Sequence, residues 1–293
     1  MLGSALVSYA KLLEEWHALL ERRPTFRVPL ALYESILAAW AQWPDDRPAP
    51  LRWSAAECRE RWQRGVPLLS EASPSIAPEA METLLGPAID VLARIGADTA
   101  TLPRFAEAWD RGEVAPPDLF PGRGRIGSAS VQQETGLSQE SLAFLACSSL
   151  RPILEQYFVE CRAHLGSHAW DLGVCPFCGG PPAFTDLLED GQRRLACHLC
   201  GAGWTFSRLR CPYCGSLSAQ DFVRFLAEEK EEGYAIFACK ACSGYLKELD
   251  RRVRWDVGSA LVEDWGSPHL DLIAQRAGYW RAVPTLIQLE EPD

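Results

Sequence analysis

Four Cys-x-x-Cys pairs, Cys175/Cys178, Cys197/Cys200, Cys211/Cys214 and Cys239/Cys242, stand within sixty-eight residues and take eight of the eleven cysteines. Two residues between cysteines let one tight turn aim both sulfurs at a single ion. Three pairs run straight into glycine, as Cys175-Pro176-Phe177-Cys178-Gly179, Cys197-His198-Leu199-Cys200-Gly201 and Cys211-Pro212-Tyr213-Cys214-Gly215, while the fourth reads Cys239-Lys240-Ala241-Cys242-Ser243-Gly244. Such a glycine permits the positive φ that turning the chain back around a metal requires. A tetrahedral site takes four sulfurs, so eight cysteines imply two sites and two metal ions. Eighteen residues separate Cys178 from Cys197 and twenty-four separate Cys214 from Cys239, near the spacing of zinc ribbons. The expectation is therefore neighbour pairing, 175/178 with 197/200 and 211/214 with 239/242. Only ten residues lie between Cys200 and Cys211, so the two modules must touch and interleaved pairing stays open.

Disulfides and thiol redox catalysis are the competing readings of these cysteines. Disulfide-dense scaffolds are small and secreted, whereas this chain has 293 residues and shows no signal peptide. A redox Cys-x-x-Cys usually occurs once, beside a βαβ pattern. The same features point to the cytoplasm. No run of about eighteen apolar residues is present, so a membrane span is not expected. Net charge is −10, shared evenly: residues 1–170 carry 16 basic and 21 acidic residues, and residues 171–293 carry 13 and 18. Phosphate binding needs a concentrated basic surface, which argues against nucleic acid as partner.

The first 170 residues read as helices punctuated by proline. Leu6, Tyr9, Leu13, Trp16 and Leu20 share one helical face that should end before Pro24, and a second run covers about Val28 to Trp43. Ser54-Ala55-Ala56-Glu57 forms a capping box that opens a helix through Arg64. The segment from Pro67 to Pro78 reads as a loop. Gly86-Pro87 and Pro103 should divide the next helical stretch, and the Pro- and Gly-rich segment from Val114 to Gly127 reads as an exposed connector. The longest helix starts at Ser138 and carries Leu142, Leu145, Leu150, Ile153, Tyr157, Cys161 and Leu165 on one face, with Pro152 expected to kink or divide it. Cys58, Cys147 and Cys161, and most of Trp16, Trp40, Trp43, Trp53, Trp62 and Trp109, are expected in the core. This half carries no phosphate-cradling glycine loop and no nucleophile elbow, so no enzyme activity is expected.

Beyond Ala169 the pattern changes to short strands. Leu195-Ala196-Cys197, Trp204-Thr205-Phe206, Phe222 to Leu226, Tyr234 to Phe237 and Tyr245-Leu246-Lys247 supply the hairpins of metal ribbons. His198, inside a knuckle that already has enough sulfur, reads as a solvent-facing loop residue, with metal ligation the alternative. Glu228-Glu229-Lys230-Glu231-Glu232 reads as a solvated hairpin tip. The fold class expected is α+β: an N-terminal all-helical domain over residues 1–170, a first metal ribbon over 171–209, and a second over 210–293 that includes a C-terminal helix.

From Cys175 nearly to the C-terminus the chain resembles the accessory proteins of respiratory formate dehydrogenases. The resemblance rests on the four ordered knuckles, Trp204 after the second, Arg208-Leu209-Arg210 before the third, Gly244-Tyr245-Leu246-Lys247 after the fourth, and the closing segment Leu270-Asp271-Leu272-Ile273-Ala274 with Gly278-Tyr279. One departure is that the acidic pair Glu263-Asp264 runs into Trp265-Gly266-Ser267-Pro268 rather than into an aliphatic helical stretch. The resemblance implies a non-enzymatic protein that binds the formate dehydrogenase catalytic subunit in the cytoplasm before export, with rubredoxin-like sites holding iron. Spacing alone does not choose between iron and zinc. A rubredoxin-type electron carrier and a nucleic-acid-binding zinc ribbon are the alternatives, and a homo-oligomer is left open.

Overall fold

The structure is a computed structural model that describes residues 8–43, 48–122, 125–166, 169–226, 231–255 and 257–283. Leu6 and residues 228–230 of the expected acidic tip lie outside them.

The helical half runs α1 (Tyr9–Arg22), α2 (Arg27–Leu30), α3 (Tyr33–Gln42), α4 (Ala55–Gln63), α5 (Pro78–Arg94) and α6 (Leu102–Asp110). A two-residue hairpin, β1 (Pro121–Gly122) with β2 (Arg125–Ile126), precedes α7 (Ala129–Thr135), α8 (Gln139–Tyr157) and α9 (Val159–Arg162). The capping box at Ser54 forms as expected: the Glu57 backbone N–H donates to the serine hydroxyl, and the Ser54 backbone N–H donates to the Glu57 carboxylate at 2.7 Å. Helix α8 is buried along nearly its whole length, with α5, β2 and α9 packed against it. Five of the six tryptophans named above are buried, with Trp53 half-exposed, and so are Cys58, Cys147 and Cys161.

The division expected at Gly86-Pro87 does not occur, and of the kink or division expected at Pro152 the division does not. Helix α5 spans Gly86-Pro87 and α8 spans Pro152, while Pro103 opens α6 at its first turn, where its missing N–H costs nothing. A proline in mid-helix orphans the carbonyl four residues earlier. For Pro152 that is Ser148, whose carbonyl accepts the Trp40 indole N–H at 2.6 Å, so a tryptophan from α3 replaces the lost helical bond. The expected exposed connector is corrected as well. Val114, Leu119 and Ile126 are buried in the core, and the short β1–β2 hairpin folds its apolar side inward.

The second half forms one six-stranded sheet, in the order β5-β4-β3-β8-β7-β6, from β3 (Phe184–Leu187), β4 (Arg193–Ala196), β5 (Gly203–Phe206), β6 (Phe222–Leu226), β7 (Tyr234–Cys239) and β8 (Gly244–Asp250). Each ribbon has the same internal order of knuckle, two strands, knuckle and third strand. The first strand of one, β3, pairs parallel with the last strand of the other, β8, from Phe184↔Lys247 to Leu187↔Asp250. All other pairings in the sheet are antiparallel. Two helices follow, α10 (Ala260–Trp265) and α11 (Pro268–Arg276). Helix α11 packs Leu270 and Ala274 on the sheet residues Phe184, Ile236, Tyr245 and Leu249. Helix α10 turns to the helical half, where Trp265 stacks on Tyr33 at 4.2 Å between ring centres. Gly266 lies so close to Leu19 that an added Cβ would come within 2.2 Å of it.

Candidate metal centres

The structure gathers the eight cysteines into two groups, Cys175/Cys178/Cys197/Cys200 and Cys211/Cys214/Cys239/Cys242, with the sulfurs of each group within 4.8 Å of one another. This is the neighbour arrangement. Sulfur separations are 3.5 Å for Cys175–Cys200 and Cys178–Cys197, 3.8 Å for Cys211–Cys242 and 3.7 Å for Cys214–Cys239. A metal bound by four sulfurs at about 2.3 Å spaces them about 3.8 Å apart, whereas a disulfide needs about 2.05 Å. The spacing therefore fits a four-thiolate ion and not a cross-link.

Three of the knuckles share one backbone design. The first cysteine's N–H donates to the carbonyl five residues on: Cys175 to Gly180 at 2.8 Å, Cys197 to Ala202 at 2.9 Å and Cys211 to Ser216 at 2.9 Å. The N–H of Gly179, Gly201 or Gly215 closes the loop onto the same cysteine's carbonyl. Those glycines have φ of 79°, 71° and 76°, as the turn requires. In the fourth knuckle the left-handed position falls on Ser243, at φ 53°, and not on Gly244. Gly244 serves another need: a Cβ there would meet the Tyr213 ring at 2.6 Å.

The two centres differ in their surroundings. All four thiols of the first are buried. Burial pushes Cys175 and Cys178 well above the ordinary thiol range, so a set of thiolates there requires a cation. Its knuckles are built into the helical half. Phe177 packs on Trp62 and Phe158, and the Trp62 indole N–H and the Leu68 backbone N–H both donate to the Pro176 carbonyl. From α8 and α9, Arg151 donates to the His198 carbonyl at 3.1 Å and Arg162 donates to the Cys200 carbonyl, while Glu155 pairs with Arg162 and accepts from the Tyr9 hydroxyl. In the second centre Cys214 is exposed and Cys242 half-buried. The chain after α11 latches it: the Trp280 indole N–H donates to the Cys242 carbonyl at 2.6 Å and its backbone N–H to the Ser243 carbonyl at 2.8 Å.

His198 is neither a ligand nor solvent-facing, which corrects the sequence expectation. It is buried, and its Nε2 lies 2.7 Å from an Asp264 carboxylate oxygen. Asp264 belongs to the acidic pair Glu263-Asp264, which points into the protein. Asp264 also contacts Lys247 and Arg281, and Asp271 holds the same two cations and the Tyr245 hydroxyl. Two carboxylates and two cations balance in the interior, where an unpaired member would be costly. Burial pushes His198 down to about 4, with the Asp264 contact opposing, so its ring is neutral near pH 7. Sequence inspection did not single out Arg151, Arg162 or Arg281, and met Lys247 only as part of a strand and of a family motif. Their role depends on partners far away in the chain.

No family model matches the chain. Among curated proteins, an FdhE homolog of Stutzerimonas stutzeri is 36% identical over 121 residues, and one of Aquifex aeolicus is 31% identical over 150. Over those stretches the chain is similar to the FdhE homologs. The matched stretches cover 40% and 50% of this chain and 39% and 52% of those relatives, so the likeness spans about half or less of their length. The crystal structure of the FdhE protein from Pseudomonas aeruginosa covers 97% of the chain and is itself covered to 96%, with a TM-score of 0.58 at 22% identity. The FdhE fold thus extends over the helical half, where sequence inspection matched no motif.

Proposed function

We propose that this chain is an accessory protein of formate dehydrogenase maturation. It binds the catalytic subunit in the cytoplasm through its helical domain and two four-cysteine ribbons, and performs no catalysis of its own. The observation that carries the reading is the pair of four-sulfur centres built into one sheet, in a chain related to the FdhE proteins. Cys175, Cys178, Cys197 and Cys200 hold one metal ion and Cys211, Cys214, Cys239 and Cys242 the other, as iron of the rubredoxin type or as zinc. Bound there, the ion supplies a four-thiolate centre that ties each ribbon together. Co-purification tests the reading. The tagged chain should enrich the formate dehydrogenase catalytic subunit over an unrelated molybdoenzyme from the same cytoplasm, and equal recovery of both would refute it.

A second reading, an electron carrier, draws support from the exposed Cys214 at the second centre. It requires iron that cycles reversibly between oxidation states. Elemental analysis and a visible spectrum of protein purified without oxygen separate the two: a colourless zinc protein rejects the carrier.

A further inference from the structure

Helix α11 packs on one face of the sheet, and Leu195, Trp204 and Leu246 of the opposite face pack in the core of the helical half. On that face an open groove of ≈ 590 Å³ lies between the strands and the segment after β5, lined by the apolar Leu187, Leu209, Phe222 and Phe237. Six charged side chains border it as well. Arg224 pairs with Glu248 at 2.8 Å, and Arg252 grips Asp250 at 2.8 and 2.6 Å, which leaves Arg193 and Arg208. Neither has a carboxylate partner among the described residues.

Arg193 is the unusual member. It is 2% exposed, on the groove's buried floor, with its Nε donating to the Thr185 hydroxyl at 3.1 Å, its Nη1 to the Arg210 carbonyl at 3.4 Å, and its guanidinium 4.2 Å over the Phe237 ring. Its Nη2 has no acceptor among the described residues. Burial pushes this guanidinium down to about 10, with Glu248, Cys211 and Tyr213 opposing and the Arg208 charge pushing the same way. A buried guanidinium with one N–H unused, beside an exposed cation without a carboxylate partner, has a charged donor free for an acceptor from outside.

We propose that this groove binds an extended segment of a partner protein carrying a carboxylate side chain between apolar neighbours, the carboxylate drawn to Arg208 at the exposed rim and Arg193 on the floor. Three features select a peptide. The apolar lining accommodates flanking side chains, and the volume lies in the range of ligand sites. Phe222, Val223 and Arg224 border the groove consecutively, although neighbouring strand residues face opposite sides, so the backbone of β6 forms part of its wall. Strand β6 is also a sheet edge, paired among the described residues only with β7, and edge strands accept extended peptides through their main chain. The planar guanidinium fork suits a carboxylate. The inference holds whichever protein the chain serves.

Isothermal titration of the metal-loaded full chain tests it, with acetyl-Leu-Phe-Glu-Leu-amide, its Gln counterpart and inorganic phosphate as probes. The Glu peptide should bind saturably and the Gln peptide about tenfold more weakly, and R208A should weaken the Glu peptide by about tenfold while leaving the Gln peptide unchanged. R193K, which keeps the charge and removes the fork, should act in the same direction. Arg208 is exposed, so R208A decides the matter even if R193K fails to fold. Absence of saturable binding at millimolar peptide, equal affinity for the two peptides, or an R208A variant that binds like the parent would each overturn the proposal. Displacement of the peptide by equimolar phosphate would also overturn it, leaving an ion site without peptide preference.

Discussion

Ser243 occupies the left-handed position that glycine fills in the other three knuckles. A side chain there crowds its own carbonyl, at a cost of about 1–2 kcal/mol, partly offset because glycine has more freedom to lose on folding. Ser243→Gly should therefore stabilise the protein by up to about 1 kcal/mol, read as a higher urea midpoint at unchanged slope. His269 on α11, stacked on Phe26, makes a second residue-scale prediction. Burial and the charges of Arg23 and Lys247 push it down to about 4, against an unfolded value of 6.5. Between those values the unfolded chain binds the proton and the folded chain does not, so stability is fully present above pH 6.5 and falls as pH drops toward 4. The contribution is about 2–3 kcal/mol. His269→Phe should flatten the slope of stability against pH in that window, and an unchanged slope would contradict the assignment. The eight cysteines were legible at this scale because metal ligation constrains spacing within a few residues. His198 was not: its burial depends on Asp264, sixty-six positions away.

At the scale of elements, helix α8 shows how a local rule is overruled from outside. Pro152 would end a helix by leaving the Ser148 carbonyl unpaired, and the Trp40 indole N–H fills the gap. Trp40→Phe keeps most of the apolar contact and removes the donor, so it should cost about 1–3 kcal/mol of stability, the penalty of a buried carbonyl without a partner. Chemical denaturation checks this, with metal content as the control that should not change. The same logic explains what sequence reading found among the strands. Five of the six sheet strands carry an apolar and aromatic signature that identified them, with ends shifted by a few residues. Strand β3 escaped notice because it is buried on both faces between β4 and β8 and its Asp186 is buried against Arg194 and Arg251, so it lacks a polar-out alternation. The burial of the acidic pair Glu263-Asp264 is not legible in the sequence for a related reason. Charge suggests surface until the Arg22, Lys247 and Arg281 that neutralise it are brought near by the fold.

For the whole molecule, the first centre shares a core with the helical half, through Phe177, Trp62 and Phe158 and through Arg151 and Arg162. Loss of its metal should lower the melting temperature of the helices too, in a single calorimetric transition; a helical transition unmoved by chelation would show the halves to be independent. The second centre, with Cys214 exposed, should give up its ion first, so metal release to a chromogenic chelator should be biphasic with equal amplitudes.

The pairing of β3 with β8 carries a further consequence. The two ribbons meet front to back, one unit's opening strand against the other's closing strand, rather than face to face about a two-fold axis. A two-fold pair uses up its own contact surface, but a front-to-back pair repeats by something close to translation and contains no geometric stop. The sheet accordingly ends in two unlike margins, the closing strand β5 and the opening strand β6. Nothing in the symmetry of the joint limits such a row to two ribbons.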